Sequence, residues 1–86
     1  MRKLWSDEAW EEYLYWQSTD KKITAKINEL LKSIEREGPM KGIGKPEPLK
    51  YRKGYSRRIT EEHRLIYDVA NGIVYVYSCK DHYQGQ

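Results

Sequence analysis

A single carboxylate stands in a strongly cationic stretch of this chain. Between residues 41 and 58 lie Lys41, Lys45, Lys50, Arg52, Lys53, Arg57 and Arg58, against the one acid Glu47. Such a run is the footprint of a polyanion binder; its plainer reading is a solvated basic loop. Arg64 follows, and near the end His82 is joined to Tyr83. Metal-free RNA cleavage asks for little beyond these residue types. It needs a base for the 2′-hydroxyl proton, an acid for the departing 5′-oxygen, and cations around the phosphorus as negative charge grows there. Glu47 offers the base and His82 the acid, while Lys50, Arg58 and Arg64 offer a grip on phosphate, with Lys45 and Arg57 as further cations of the same stretch. Taken singly, each has a duller role as a loop acid, a tail histidine or a surface cation, and composition alone stops at a nucleic-acid binder.

Other chemistries find less support. There is no His-x-x-His, no cysteine pair and no carboxylate cluster beside the basic stretch, so no metal or other cofactor is expected. Cys79 sits in an apolar run, where a cysteine acts as a small buried hydrophobe rather than a nucleophile. His63, between Glu62 and Arg64 at the start of an apolar run, reads as structural.

These residues must be held by a small frame. At 86 residues the chain is one domain, residues 1–86, with no length for a second core. A mean hydropathy of −0.97 is low, yet 13% aromatic residues is too rich for a disordered tail. The lone cysteine rules out a disulfide framework and suits a reducing, cytoplasmic setting. The longest apolar run, Ile73 to Tyr77, is too short for a membrane span or signal core. Net charge is 16 − 13 = +3, unevenly spread: residues 1–40 sum to −1 and residues 41–86 to +4.

The first half reads as helical. Arg2 to Trp5 is a short possible strand, and Ser6 before Asp7-Glu8 is a helix N-cap with acids in the first turn. The spacing turns Trp10, Tyr13 and Leu14 inward and Glu11 and Glu12 to water, with Trp16 off that stripe. Asp20 caps a second helix whose stripe is Ile23, Ile27, Leu30, Leu31 and Ile34, ended by Gly38-Pro39.

A glycine- and proline-rich crossing over residues 38–48 leads to the second half and carries Glu47. Strands are predicted over Tyr55 to Thr60, Leu65 to Val69 and Ile73 to Cys79, the last two joined by an Asn71-Gly72 hairpin turn. Pairing Ala70 with Ile73 puts Leu65, Tyr67, Val69, Val74 and Val76 on one face, toward the helices. Arg64, Ile66, Asp68, Tyr75, Tyr77 and Cys79 fall on the other. Arg58 joins them if the connection from Thr60 to Arg64 has three residues, and is turned away if it has two. Arginines and tyrosines on one sheet face suit single-stranded nucleic acid.

Several segments together resemble one known family. Tyr13-Leu14-Tyr15-Trp16, Lys26 to Lys32 (KINELLK), Gly42 to Lys50 (GIGKPEPLK), Ser56 to Tyr67 (SRRITEEHRLIY) and the closing His82-Tyr83 are similar to the YoeB toxins of the RelE/ParE superfamily, over residues 4 to 83. The resemblance implies an α+β, RelE-like fold: two N-terminal helices on one face of a small, mostly antiparallel, twisted sheet. It implies a ribosome-dependent endoribonuclease that cuts mRNA in the decoding site, is commonly a homodimer, and is silenced by a YefM-like antitoxin. Carried over by motif, Glu47 is the general base, His82 the general acid, Arg64, Arg58 and Lys50 hold the scissile phosphate, and Tyr83 lies beside the target nucleotide. The segment 51–55 is shorter than usual in the family, and Gln84-Gly85-Gln86 follow the tyrosine at which the family typically stops. Two rival readings have other targets. A ParE-like relative would act on a topoisomerase, and a non-catalytic module would only bind RNA or DNA.

Overall fold

The computed structural model describes residues 1–81 of the chain. Its elements are β1 (Arg2–Trp5), α1 (Asp7–Thr19), α2 (Lys21–Glu37), β2 (Glu47–Pro48), β3 (Tyr55–Arg58), β4 (Arg64–Ala70) and β5 (Ile73–Ser78). The strands form one sheet in the order β1-β5-β4-β3-β2. Only β1 runs parallel to its neighbour, β5, and the other pairings are antiparallel. The α+β expectation therefore holds, with a β2 strand that sequence reading had assigned to the crossing.

Helix α2 forms as its stripe predicts. The Asp20 side chain accepts from the amides of Lys22 and Ile23 at the N-terminus, and Gly38 closes the C-terminus at φ 95° with its N–H on the Ile34 carbonyl. Ile23, Ile27, Leu30, Leu31 and Ile34 are all buried, against Leu65, Tyr67, Val74 and Val76 of the sheet. Each such aliphatic side chain is worth roughly 1.5–3 kcal/mol on burial, so this layer dominates the core.

Helix α1 differs from expectation. Its buried residues are Ala9 and Trp16, whereas Trp10 is 45% and Leu14 38% exposed. The inward face is thus 9, 12, 13 and 16, a rotation of the predicted stripe. The cause is polar as well as apolar: the indole Nε1–H of Trp16 donates to the Cys79 carbonyl at 2.9 Å, and Glu12 Oε1 accepts the Cys79 N–H at 2.7 Å. Ser6 adds to this seam, since its Oγ caps α1 by accepting from Ala9 and also donates to the Tyr77 carbonyl. Trp5, Trp10 and Tyr13 form an aromatic cluster, with ring centroids 4.8–5.9 Å apart, and Trp5 and Tyr13 pack against the edge of the core.

The hairpin register follows the predicted pairing from Ala70↔Ile73 to Tyr67↔Val76, across a turn in which Asn71 and Gly72 have φ of 53° and 75°. Then it slips. Ile66 pairs with Ser78, leaving Tyr77 as the extra residue of a bulge. One added residue reverses the alternation, so Cys79, expected on the outer face, is fully buried among the helix-facing residues. Leu65, Tyr67, Val69, Val74 and Val76 face the helices as expected.

Candidate RNA-cleaving site

The site is built on β2, β3 and β4, on the face away from the helices. Glu47 pairs with Ser56, and Ser56 with Ile66, so these three lie in one row across the sheet. Two residues along, Arg58 and Arg64 are direct cross-strand partners, joined by the five-residue connection 59–63. This odd-length link preserves parity, so Arg58 and Arg64 share a face, as the three-residue alternative required. The Glu47 carboxylate Oε1 lies 3.8 Å from Arg64 Nη1, with the carboxylate well exposed and the arginine mostly covered.

Two arginines placed directly opposite one another repel, at a cost of a few tenths to about 1 kcal/mol. Their Nε atoms are both buried without a hydrogen-bond partner among the described residues. One carboxylate at 3.8 Å leaves this cationic pair with unused donors. An oxyanion bearing several acceptor oxygens is the natural complement, because guanidinium forks match phosphate geometry. Lys45 and Lys50 flank the site from either side of β2, and both are exposed.

Local structure delivers Glu47 to this place. The Gly44 carbonyl accepts the Arg58 N–H, drawing the crossing onto β3 just before β2 begins. Gly44 has φ 86°, and a Cβ there would sit 2.6 Å from Leu30 Cδ2, so both conformation and space demand glycine. Lys45 next to it also has a positive φ, 51°, a conformation that functional loops tend to hold at some cost.

Arg57 corrects the sequence reading. Expected among the phosphate-binding cations, it is fully buried on the helix-facing side, opposite Leu65. Its Nε donates to Tyr67 Oη, its Nη1 to Ser33 Oγ and the Ile43 carbonyl, and its Nη2 to the carbonyls of Gly38 and Lys41. The Tyr67 hydroxyl in turn donates to the Pro39 carbonyl. The guanidinium is therefore spent on folding the crossing, and no donor is left for RNA. Burial pushes the Tyr67 phenol up from its usual range, with Arg57 opposing.

His82 and Tyr83 lie outside the described residues. The backbone that leads to them is held at Asp81, whose carbonyl accepts from Arg64 N–H at 3.3 Å and whose N–H donates to His63 Nδ1 at 2.8 Å. Cys79, two residues earlier, is no nucleophile: burial first, and the Glu12 charge second, push its thiol up to about 12. Sequence reading missed Glu12 and Trp16 as supports of this terminal segment. The available signal was the 9, 12, 16 spacing, which the brighter Trp10-Tyr13-Leu14 stripe obscured.

Residues 5–83 match the family described as YoeB-like toxin of bacterial type II toxin-antitoxin system. The chain belongs to the YoeB toxin family. It is 53% identical to Toxin YoeB of Escherichia coli (strain K12) over 85 residues, which is 96% of this chain and 100% of that toxin. Among solved structures, the YoeB dimer from Staphylococcus aureus matches with a TM-score of 0.92 and 52% identity, covering 96% of this chain and 98% of that one. The YoeB-YefM complex from the same organism matches at 0.91 and 50%, with the same coverage. The E. coli DinJ-YafQ complex, at 17% identity and TM-score 0.76, shares the fold. In this YoeB-family chain, Glu47, Arg58 and Arg64 are thus brought together on one sheet face, Lys45 and Lys50 stand at its rim, and Arg57 is turned away.

Proposed function

We propose that this toxin is an mRNA interferase, an endoribonuclease that cuts message in the ribosomal A site and thereby stops translation. Glu47 takes the proton of the 2′-hydroxyl, whose oxygen attacks the adjacent phosphorus. The bond from phosphorus to the 5′-oxygen breaks, and His82 returns a proton to that leaving oxygen. The products are a 2′,3′-cyclic phosphate, which water can open to a 3′-phosphate, and a 5′-hydroxyl. Arg58 and Arg64 with Lys50 neutralise the pentacovalent phosphorane as it forms, Lys45 binds a flanking phosphate, and Tyr83 lies beside the target nucleotide. The reaction needs no metal, since a carboxylate, an imidazole and cations cover every charge and proton it moves.

The observation that carries this reading is the Glu47 carboxylate set 3.8 Å from Arg64 on the face shared with Arg58, whose Nε, like that of Arg64, is buried and unpartnered among the described residues. A topoisomerase-directed toxin of the same fold has no need of a base beside a phosphate grip, and a simple binder has no need of an acid and base at all. Purified protein added to translating ribosomes should produce discrete message ends on primer extension. Glu47→Gln and His82→Ala should each slow that cleavage by about 10²–10⁴-fold. Undiminished growth arrest by both variants would mean that the toxin works by binding alone; a block of DNA supercoiling with intact message would point to the topoisomerase.

The partners follow from the relatives. A YefM-like antitoxin holds the toxin inactive, and an acidic or amphipathic segment is what the basic site would accept. Like the S. aureus YoeB dimer, the chain forms homodimers. Its target places it in the cytoplasm.

A further inference from the structure

His63 lies outside the acid, base and phosphate roles, yet its ring is the point at which three parts of the molecule meet. Its Nδ1 accepts the Asp81 N–H at 2.8 Å. An imidazole nitrogen that accepts carries no proton, so this contact requires a bare Nδ1 and leaves the ring's hydrogen to Nε2. The Asp81 carboxylate Oδ1 lies 3.8 Å from the same nitrogen, a longer contact than that of the amide. The shorter contact decides, because an amide N–H cannot donate to a nitrogen that already bears hydrogen.

The next residue, Arg64, donates its backbone N–H to the Asp81 carbonyl. Consecutive residues of one strand start therefore hold both sides of residue 81, and the second of them carries a guanidinium of the candidate site. Asp81 needs holding: its φ of 63° lies in the left-handed region. The imidazole is itself fixed from behind by the Trp16 ring, edge-on at 4.8 Å, and Trp16 also binds the Cys79 carbonyl. Below, the 59–63 connection is closed by Ile59 and Thr60 N–H on the His63 carbonyl, and by His63 N–H on Thr60 Oγ1.

We propose that His63 is a positioning residue for RNA cleavage: its imidazole ties the backbone of Asp81 to the strand start at Arg64 and so holds the Arg64 guanidinium in place beside Arg58. The inference rests on the ribonuclease reading of that site. It makes no contact with RNA part of the role of His63, and it separates the duty of this histidine from that of His82.

The test has two arms, both on the full chain. Long-range nitrogen–proton NMR of the free wild-type protein should show the His63 ring neutral with its proton on Nε2, and the Asp81 amide protected from exchange. A ring protonated on Nδ1, or an Asp81 amide that exchanges as fast as an open coil, overturns the tie itself. In single-turnover cleavage on ribosomes, His63→Ala should lower the rate between about ten and a hundredfold with apparent affinity nearly unchanged, as expected when a reacting group is misplaced by a fraction of its reach. His63→Asn sets its amide oxygen near the place of Nδ1 and should recover most of the rate, whereas His63→Gln reaches only the place of Nε2 and should not. Equal rates for the Asn and Gln variants overturn the positioning role, even where the Ala variant folds poorly. A wild-type protein that leaves message uncut overturns the ribonuclease reading, and with it the catalytic consequence, while the NMR arm still reports on the tie.

Discussion

Arg57 and Arg58 are neighbours with the same side chain and opposite duties. Strand alternation decides between them: the residue opposite Leu65 goes inward and the residue opposite Arg64 goes outward. That parity was legible before the fold, since placing Arg58 with Arg64 already turns Arg57 to the helices. What hid it was charge, because a buried cation is the exception that sequence statistics discourage. Replacing Arg57 by Met should strand the carbonyls of Gly38, Lys41 and Ile43 without donors, each at about 1–3 kcal/mol, and cost more than 3 kcal/mol in all. Arg57→Lys should recover little, because one ammonium cannot span the acceptors of a planar fork. Urea unfolding of both variants checks this. Glu12 sets a second residue-scale expectation. Burial raises its carboxyl above the ordinary value of 4.5, with the Cys79 N–H opposing. A folded-state value above the unfolded one means that the native state holds the proton longer. Stability attached to Glu12 is thus full below the unfolded value and falls as pH climbs through the folded one. Glu12→Gln keeps an acceptor for Cys79 and should flatten the melting-temperature profile as pH rises past the ordinary carboxylate range, while Glu12→Ala should be less stable throughout.

At the scale of elements, the long apolar stripe of α2, its Asp20 and Gly38 ends and the Asn71-Gly72 turn were all readable, because each depends on local chemistry. Two features were not. The facing of α1 is set by what lies across from it, the terminal run from Tyr77 to Cys79, which only the fold brings near. The bulge at Tyr77 leaves no local mark either, since alternation on both sides of it looks regular in the sequence. Its effect is measurable at Cys79. An unbroken ladder would show that thiol on the outer face, whereas the slipped one buries it, with an acidity pushed to about 12. Alkylation by iodoacetamide at mildly alkaline pH should therefore be slow and should track global unfolding as denaturant is added. Rapid labelling of the native protein would mean that the bulge is absent. Glu47 was readable as a lone acid among cations, but its seat in β2 was not: a two-residue strand containing proline is below what pattern can detect.

For the whole molecule, the uneven charge matters more than the net +3. The basic half supplies β2, β3 and the rim of the site, so binding to ribosomal and messenger RNA should weaken linearly in log affinity against log salt. Lys45→Ala and Lys50→Ala should each reduce that slope by about one if each meets a phosphate. An unchanged slope, read from ribosome sedimentation at several salt concentrations, would return both lysines to the solvent. The family likeness, over residues 4 to 83, made the general architecture legible; the division of the arginines between scaffold and site came from register. The parallel pairing of β1 with β5 carries a last consequence. Arg2 sits opposite Ile73, a separation of 73 − 2 = 71 positions, so the first strand finds its place only beside the last. A chain still being synthesised cannot complete its sheet until that final strand has emerged. Residues 2–5 thus wait without their sheet partner until residues 73–76 have followed them out.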